Sequence, residues 1–249
     1  MATMQSVRPG RPAVVPKVRQ FLKRQFYLLM SLLVAGVVIY GFSHTIVAGL
    51  VRPAVKPPAL LWVHGVVFFA WIGLFVLQSV LVRLRRVSVH RFLGWGFAAI
   101  GAMIPVLGIV ITRVMSRFEL AFLHADPIER SAFLPIPFLD MAIFVVTFGL
   151  AIWWRKRPEY HRRLMLCAAC VLTAAAFGRL PVSVPYLDFY AGVDALIMIG
   201  VLRDIAVDRR VHPVYAWLLP PSVLLQLGAL FIYSHRPEWW LRIGNAFIG

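Results

Sequence analysis

An ionisable side chain inside hydrocarbon is costly unless it is paired or used, so the search for chemistry in this chain begins with charges inside apolar runs. Five stand out: His44, His64, Asp140, Arg179 and Asp194. Gln78 joins them, because His64, Trp71 and Gln78 recur every seven residues, a spacing that keeps all three on one helix face within about 40°. These residue types suit a polar pocket between helices that takes a small molecule or an ion. They also suit a plain staple, with Asp140 and Asp194 paired to Arg179 and the histidines donating to backbone carbonyls.

Histidine pairs on facing helices carry a different chemistry. His44 with His64, and His90 with His161, can each offer two axial nitrogens to a b-type haem. His90 and His161 lie beside arginines, which suit haem propionates and lipid phosphates equally. A b-type haem cytochrome carrying electrons is therefore the alternative reading, and no other metal site is indicated. Cys167 and Cys170 form a C-x-x-C, but they sit in a run of small residues whose ordinary role is close helix packing. No apolar run contains a lysine, which excludes a retinal-type Schiff base within a span. Phosphate-cradling Gly-rich loops, Ser/His/Asp arrangements and zinc-protease motifs do not occur. No catalytic residue is named by these patterns, and whether the protein is an enzyme stays open.

The elements that hold these residues follow from composition. The chain is 61% hydrophobic and 14% charged, against about 45–50% and about 25% in a soluble domain. A helix needs about 20 apolar residues to cross about 30 Å of hydrocarbon. Seven runs qualify: 27–50, 60–82, 92–112, 138–154, 164–180, 186–205 and 214–233. The fold class expected is an all-α polytopic transmembrane bundle of seven spans. A basic cytoplasmic segment (1–24) precedes the membrane domain (25–235), and an interfacial tail (236–249) follows it. The first run has no small-residue cleavage site and reads as a retained span. A six-span version would leave the sixth run, with its Asp188 and Asp194, outside the membrane.

Charge placement sets the orientation. With the N-terminus in the cytoplasm, the inner segments hold eighteen of the 26 Lys and Arg residues, as inserted proteins require. The C-terminus then lies outside, and His44, His64, Asp140, Arg179 and Asp194 share the outer half. The net charge of +16 is thus a topology signal that also attracts anionic lipid headgroups, and it does not point to nucleic acid. Three basic linkers, 85–91, 157–162 and 209–212, each bring a histidine to the start of an odd-numbered span. Duplicated hairpins and independent basic turns explain that equally well. The basic N-terminus and the apolar tail 239–249 could each contact a membrane-protein partner.

The sequence resembles a family of bacterial multi-pass membrane proteins defined by a domain of unknown function. The likeness rests on His64-Gly65 with Phe68, Phe69, Trp71 and Gln78, on Arg86, and on His90-Arg91-Phe92-Leu93-Gly94. It continues in Pro137-Phe138-Leu139-Asp140 and His161-Arg162-Arg163-Leu164-Met165. It covers spans two to five, with the H-R-x-L-G entrance to span three as its most specific element. It implies a bacterial inner-membrane location and no particular activity. A weaker similarity is to the di-haem cytochrome-b ferric reductases, whose four central helices bear histidines. His64, His90 and His161 match three of these, and the missing fourth leaves at least one haem site incomplete. The function expected from the residues is binding or transfer of a small molecule or ion at the outer polar site, or support of a membrane assembly.

Overall fold

The computed structural model describes residues 17–181 and 185–249, apart from the side chains of residues 48, 50 and 185–188. Residues 1–16, with Arg8 and Arg11 of the expected basic segment, lie outside the described residues. Ten α-helices and one short π-helix (Val47–Val51) occur in the described chain, and no strand occurs among these residues. The α-helices are α1 (Lys17–Ser43), α2 (Ala59–Arg83), α3 (Val87–Phe122), α4 (Pro127–Phe133) and α5 (Pro135–Trp153), then α6 (Pro158–Val171), α7 (Ala174–Phe177), α8 (Pro185–Asp208), α9 (Pro213–His235) and α10 (Glu238–Ile248).

Proline decides where several helices begin. Pro127, Pro135, Pro158 and Pro213 occupy the first turns of α4, α5, α6 and α9, where a missing N–H costs nothing and the fixed φ is already helical. Asp126 caps α4 by accepting from the Ile128 N–H at 3.0 Å. His212 caps α9 by accepting from the Val214 N–H at 3.2 Å.

Five segments are long and apolar enough to cross a membrane: α1, α2, α3, the continuous Pro127–Trp153 and α9. Their outward faces are apolar, with Phe92 78%, Trp153 77% and Leu224 70% exposed. That much bare hydrocarbon surface is a lipid-facing surface. The chain is therefore a multi-pass helical protein of membrane type.

The expected fifth and sixth spans take other forms. The run 164–180 is broken into the 14-residue α6 and the 4-residue α7, where the buried Thr173 hydroxyl turns onto the Cys170 carbonyl. α6 is a central post, with Leu164, Leu166, Cys167, Ala168, Ala169 and Cys170 all fully buried. Both cysteines are free and packed there. α8 has 24 residues, enough at about 1.5 Å per residue to span, but it carries Asp194, Arg203, Asp204 and Asp208 and is not among the five.

Helix extends beyond the apolar runs in two places. The polar stretch after residue 112 continues α3 through Phe122, so that one helix runs 36 residues, or about 54 Å. The tail forms α10, which lies on α4: Ser131 Oγ donates to Asn245 Oδ1 at 2.6 Å, and Trp240 Nε1 donates to the Ser131 carbonyl at 3.0 Å.

The arginine-dense helix ends gather at one end of the bundle. Arg19 Nε donates to the Val207 carbonyl at 2.8 Å, and Arg83 Nε to Gln25 Oε1 at 2.8 Å. The Arg155 guanidinium sits over Trp95. Midway along the bundle, Trp71 is fully buried between Phe97, Phe144 and Phe148, with ring centroids 4.2–5.3 Å away. Gly101 of α3 makes room for it, since a Cβ there would collide with Phe148 and Trp71.

Candidate functional site

The six residues singled out from sequence fall into three separate places. At the end of α1 remote from the arginines, His44 is exposed and donates Nδ1–H to the Tyr40 carbonyl at 2.9 Å. Arg179, just past α7, donates to Thr45 Oγ1 at 3.1 Å and to the Ala175 carbonyl, with its guanidinium 4.2 Å from the Phe42 centroid. His64 on α2 lies within electrostatic reach of Arg179 and packs on Phe68, ring centroids 4.1 Å apart.

Gln78 is elsewhere. It is fourteen residues beyond His64 on the same helix, about 21 Å along the axis, and it lies beside His90. Its side chain is buried, and neither amide atom has a hydrogen-bond partner among the described residues. His64 and Gln78 thus share the buried stripe centred on Trp71 but cannot share one ligand.

Asp140 and Asp194 form the third place. Asp140, on the second turn of α5, is 8% exposed. No ion pair and no side-chain hydrogen bond engages it among the described residues. Asp194, on α8, accepts from Gln226 Nε2 of α9 at 3.2 Å. Tyr190 stands one turn before Asp194 on α8, within electrostatic reach of both carboxyls. Tyr190 is 1% and Gln226 2% exposed, yet the Tyr190 hydroxyl and Gln226 Oε1 have no hydrogen-bond partner among the described residues. Two carboxyls, a phenol and an amide oxygen therefore gather between three helices, the phenol and the amide oxygen unpartnered among the described residues.

The setting is apolar. Ile136 and Leu230 pack with Tyr190, and Phe133, Phe189 and Tyr233 surround them. An apolar groove of about 300 Å³ runs between α5 and α9, with Leu139 and Ser222 in its wall. Ser222 lies one turn from Gln226. Around α4, Glu129 accepts from Tyr233 Oη at 3.1 Å and pairs with Arg236 at 3.0 Å, and Arg130 pairs with Glu119 at 2.5 Å.

Of the two histidine pairs, one meets. The His90 and His161 rings are 6.4 Å apart between centroids and steeply inclined. His161 donates Nδ1–H to the Ala151 carbonyl at 2.9 Å, which leaves Nε2 as the ring's lone-pair nitrogen. His90 Nδ1 is buried without a partner. No contact joins His44 to His64 among the described residues, and no group of three or more His, Cys, Asp or Glu forms a metal-binding cluster there.

Tyr190 and Gln226 were not singled out from sequence. The i, i+4 spacing of Tyr190 and Asp194, and a lone amide within the apolar α9, were the available signals. No protein-family model, no curated protein and no solved structure matches the chain.

Proposed function

We propose that this protein is a multi-pass inner-membrane protein that binds, and passes between the two sides of its bundle, a small monovalent cation, a proton or Na⁺. The site comprises Asp140, Asp194, Tyr190 and Gln226, a subset of the outer polar cluster together with the two oxygens beside it. Asp140 carries the reading: it is a carboxyl inside a spanning helix with neither a counter-ion nor a hydrogen-bond partner among the described residues. A carboxylate in that position is stable only when it holds a proton or a cation. Oxygen donors are the chemistry that hard monovalent cations take, and the orphaned Tyr190 hydroxyl and Gln226 Oε1 supply two of them. His44, His64 and Arg179 form a separate polar group near the end of α1, and neither they nor Gln78 belong to this site. Excess Lys and Arg at the opposite end supports an N-terminus in the cytoplasm, seven crossings with α6–α7 and α8 included, and a site in the outer half.

The test is thermal stability of the detergent-purified protein in NaCl against choline chloride at equal ionic strength, across pH 6 to 9. The melting temperature of the wild type is expected to rise with Na⁺ at alkaline pH, and Asp140→Asn to abolish that rise. Equal melting temperatures in the two salts, together with the same pH profile for wild type and Asp140→Asn, overturn the reading.

A second reading rests on the His90–His161 approach, which would suit two axial nitrogens of a b-type haem iron. A Soret band in the purified protein, lost in His90→Ala and His161→Ala, supports it, and a colourless protein removes it.

A further inference from the structure

The arginine-dense end contains a cavity that the cation site does not use. Its volume is about 690 Å³, within the range of about 300–1,000 Å³ that small-ligand sites occupy. Four helices build it: the start of α1, the start of α6, the end of α8 and the turn into α9.

Charge in this cavity is unbalanced. Six cations line it, from Arg19, Lys23, Arg162, Arg163, Arg203 and Arg210, against the carboxylates of Glu159, Asp204 and Asp208. The carboxylates are already taken. Arg163 holds Asp204 through two parallel bonds, Nε to Oδ2 at 2.7 Å and Nη2 to Oδ1 at 2.8 Å, and reaches Glu159 Oε2 at 2.6 Å. Arg203 Nη1 bonds Asp204 Oδ1 and Asp208 Oδ2, each at 2.8 Å. Burial raises the Glu159 carboxyl, but its bond to Arg163 and the charges of Arg162, Arg163 and Arg203 outweigh that and hold it below the usual carboxylate range.

What remains is a surplus of donors. Arg203 is 5% exposed and its Nε has no partner among the described residues; Arg162, whose Nη2 also bonds Glu159, likewise has a buried, unpartnered Nε there. Both guanidinium groups lie over the Tyr27 ring, at 5.0 Å for Arg162 and 5.9 Å for Arg203. Stacking on that ring helps fix the two guanidinium groups in place. Lys23 and Arg210 stand exposed at the rim. An anion with several oxygens is the complement of planar guanidinium donors and a point-charge lysine. A basic pocket between helices at headgroup depth selects phosphate in particular.

We infer that this cavity is a binding site for a phosphate group, with Arg162 and Arg203 as its inner donors and Lys23 and Arg210 as its rim. The Arg163–Asp204 pair is the frame that holds the donors and is not itself the binding group. The phosphate is the headgroup of an anionic phospholipid of the adjoining leaflet or a free phosphate ion, and the arms of the experiment separate these two sources.

Lys23→Gln/Arg210→Gln changes only exposed rim residues and leaves the buried frame intact. Purified wild type and this variant are titrated with phosphatidylglycerol, with phosphatidylcholine and with inorganic phosphate, at constant ionic strength, and binding is read by native mass spectrometry and thermal shift. Saturable binding of phosphatidylglycerol but not of phosphatidylcholine, weakened about 30-fold in the variant by the loss of two headgroup-facing charges, supports the lipid source. Saturable stabilisation by inorganic phosphate that competes with phosphatidylglycerol, also weakened in the variant, supports the free ion. The inference is overturned if neither probe shifts the wild type beyond an equal concentration of chloride, or if the variant binds both as tightly as the wild type. None of these outcomes depends on Na⁺ or on Asp140.

Discussion

Arg163 of α6 and Asp204 of α8, 41 positions apart in sequence, meet as a two-bond ion pair at 2.7 and 2.8 Å with both side chains out of water. Breaking such a pair from one side strands a buried charge, which costs about 3–5 kcal/mol, whereas replacing both partners by apolar residues of similar size is often neutral. Asp204→Asn is expected to lower the melting temperature sharply, and Arg163→Met/Asp204→Leu to recover most of the loss. A double-mutant cycle on the purified protein measures the coupling directly.

Close backbone approach makes a second prediction. A Cβ at Gly41 of α1 would strike the carbonyl oxygen of Ala176 on α7, whereas nothing lies within 4 Å of a Cβ at Gly36 or Gly149. Gly41→Ala is expected to destabilise by about 1–3 kcal/mol, the usual cost of overpacking. Gly36→Ala and Gly149→Ala are expected to be neutral or to stabilise by up to about 1 kcal/mol, because glycine in a helix interior carries an entropic penalty. Melting temperatures of the three variants, side by side, check both signs.

The contrast between these glycines shows where sequence reading stops. Apolar run length told of membrane helices, and the spacing of His64, Trp71 and Gln78 told which face of α2 turns inward, because both depend only on local periodicity. The break after Val171 was hidden, since neither charge nor proline interrupts 164–178 and the turn depends on a buried Thr173 hydroxyl finding the Cys170 carbonyl. α3 runs on past its apolar run because Arg113, Arg117 and Glu119 bar that segment from hydrocarbon but not from helicity. Counting Arg162, Arg163, Arg203 and Arg210 as topology signals hid their partners; Glu159 with Arg163 has helical i, i+4 spacing, but the union of α6 with α8 is a tertiary fact. Depth along the spans put Arg179 with the carboxyls, and only the packing of α7 against α1 turns it to Thr45.

His212 gives a pH dependence with a definite sign. Its Nδ1 must be unprotonated to accept the Val214 N–H that begins α9. Burial first, then the Arg163 charge, holds its basicity below that of an ordinary histidine, with Asp204 and Glu159 opposing weakly. A group whose pKa falls on folding contributes stability above its unfolded value, about 6.5, and loses it as pH drops further. The wild type is expected to lose stability between pH 7 and pH 5 more steeply than His212→Asn, since asparagine keeps a capping oxygen but does not titrate. Melting curves at pH 5, 6 and 7.5 test the difference, and parallel curves would refute the role of His212.

Arg209 ends α8 in the left-handed region at φ 57°, as Arg85 and Arg236 end α2 and α9 at 60° and 50°. That conformation costs an ordinary L-residue roughly 1 kcal/mol and glycine almost nothing. Arg209→Gly is expected to raise stability slightly. Arg209 is exposed and outside the cavity lining, so phosphate binding should be unchanged in the same preparation.

Tyr190 separates a cation site from a packing cluster. Its hydroxyl is buried without a partner between Asp140 and Asp194, and a stranded hydroxyl costs about 1–3 kcal/mol. In a cluster that only packs, Tyr190→Phe removes that penalty and stabilises the protein equally in Na⁺ and in choline. In a cation site, the hydroxyl is held in reserve for the ion, so the variant gains stability in choline and loses the increment that Na⁺ gives the wild type. The second pattern is the one expected. It appears as a melting-temperature difference between the two salts that shrinks in Tyr190→Phe and vanishes in Asp140→Asn, and a difference unchanged by Tyr190→Phe would remove the phenol from the ligand set.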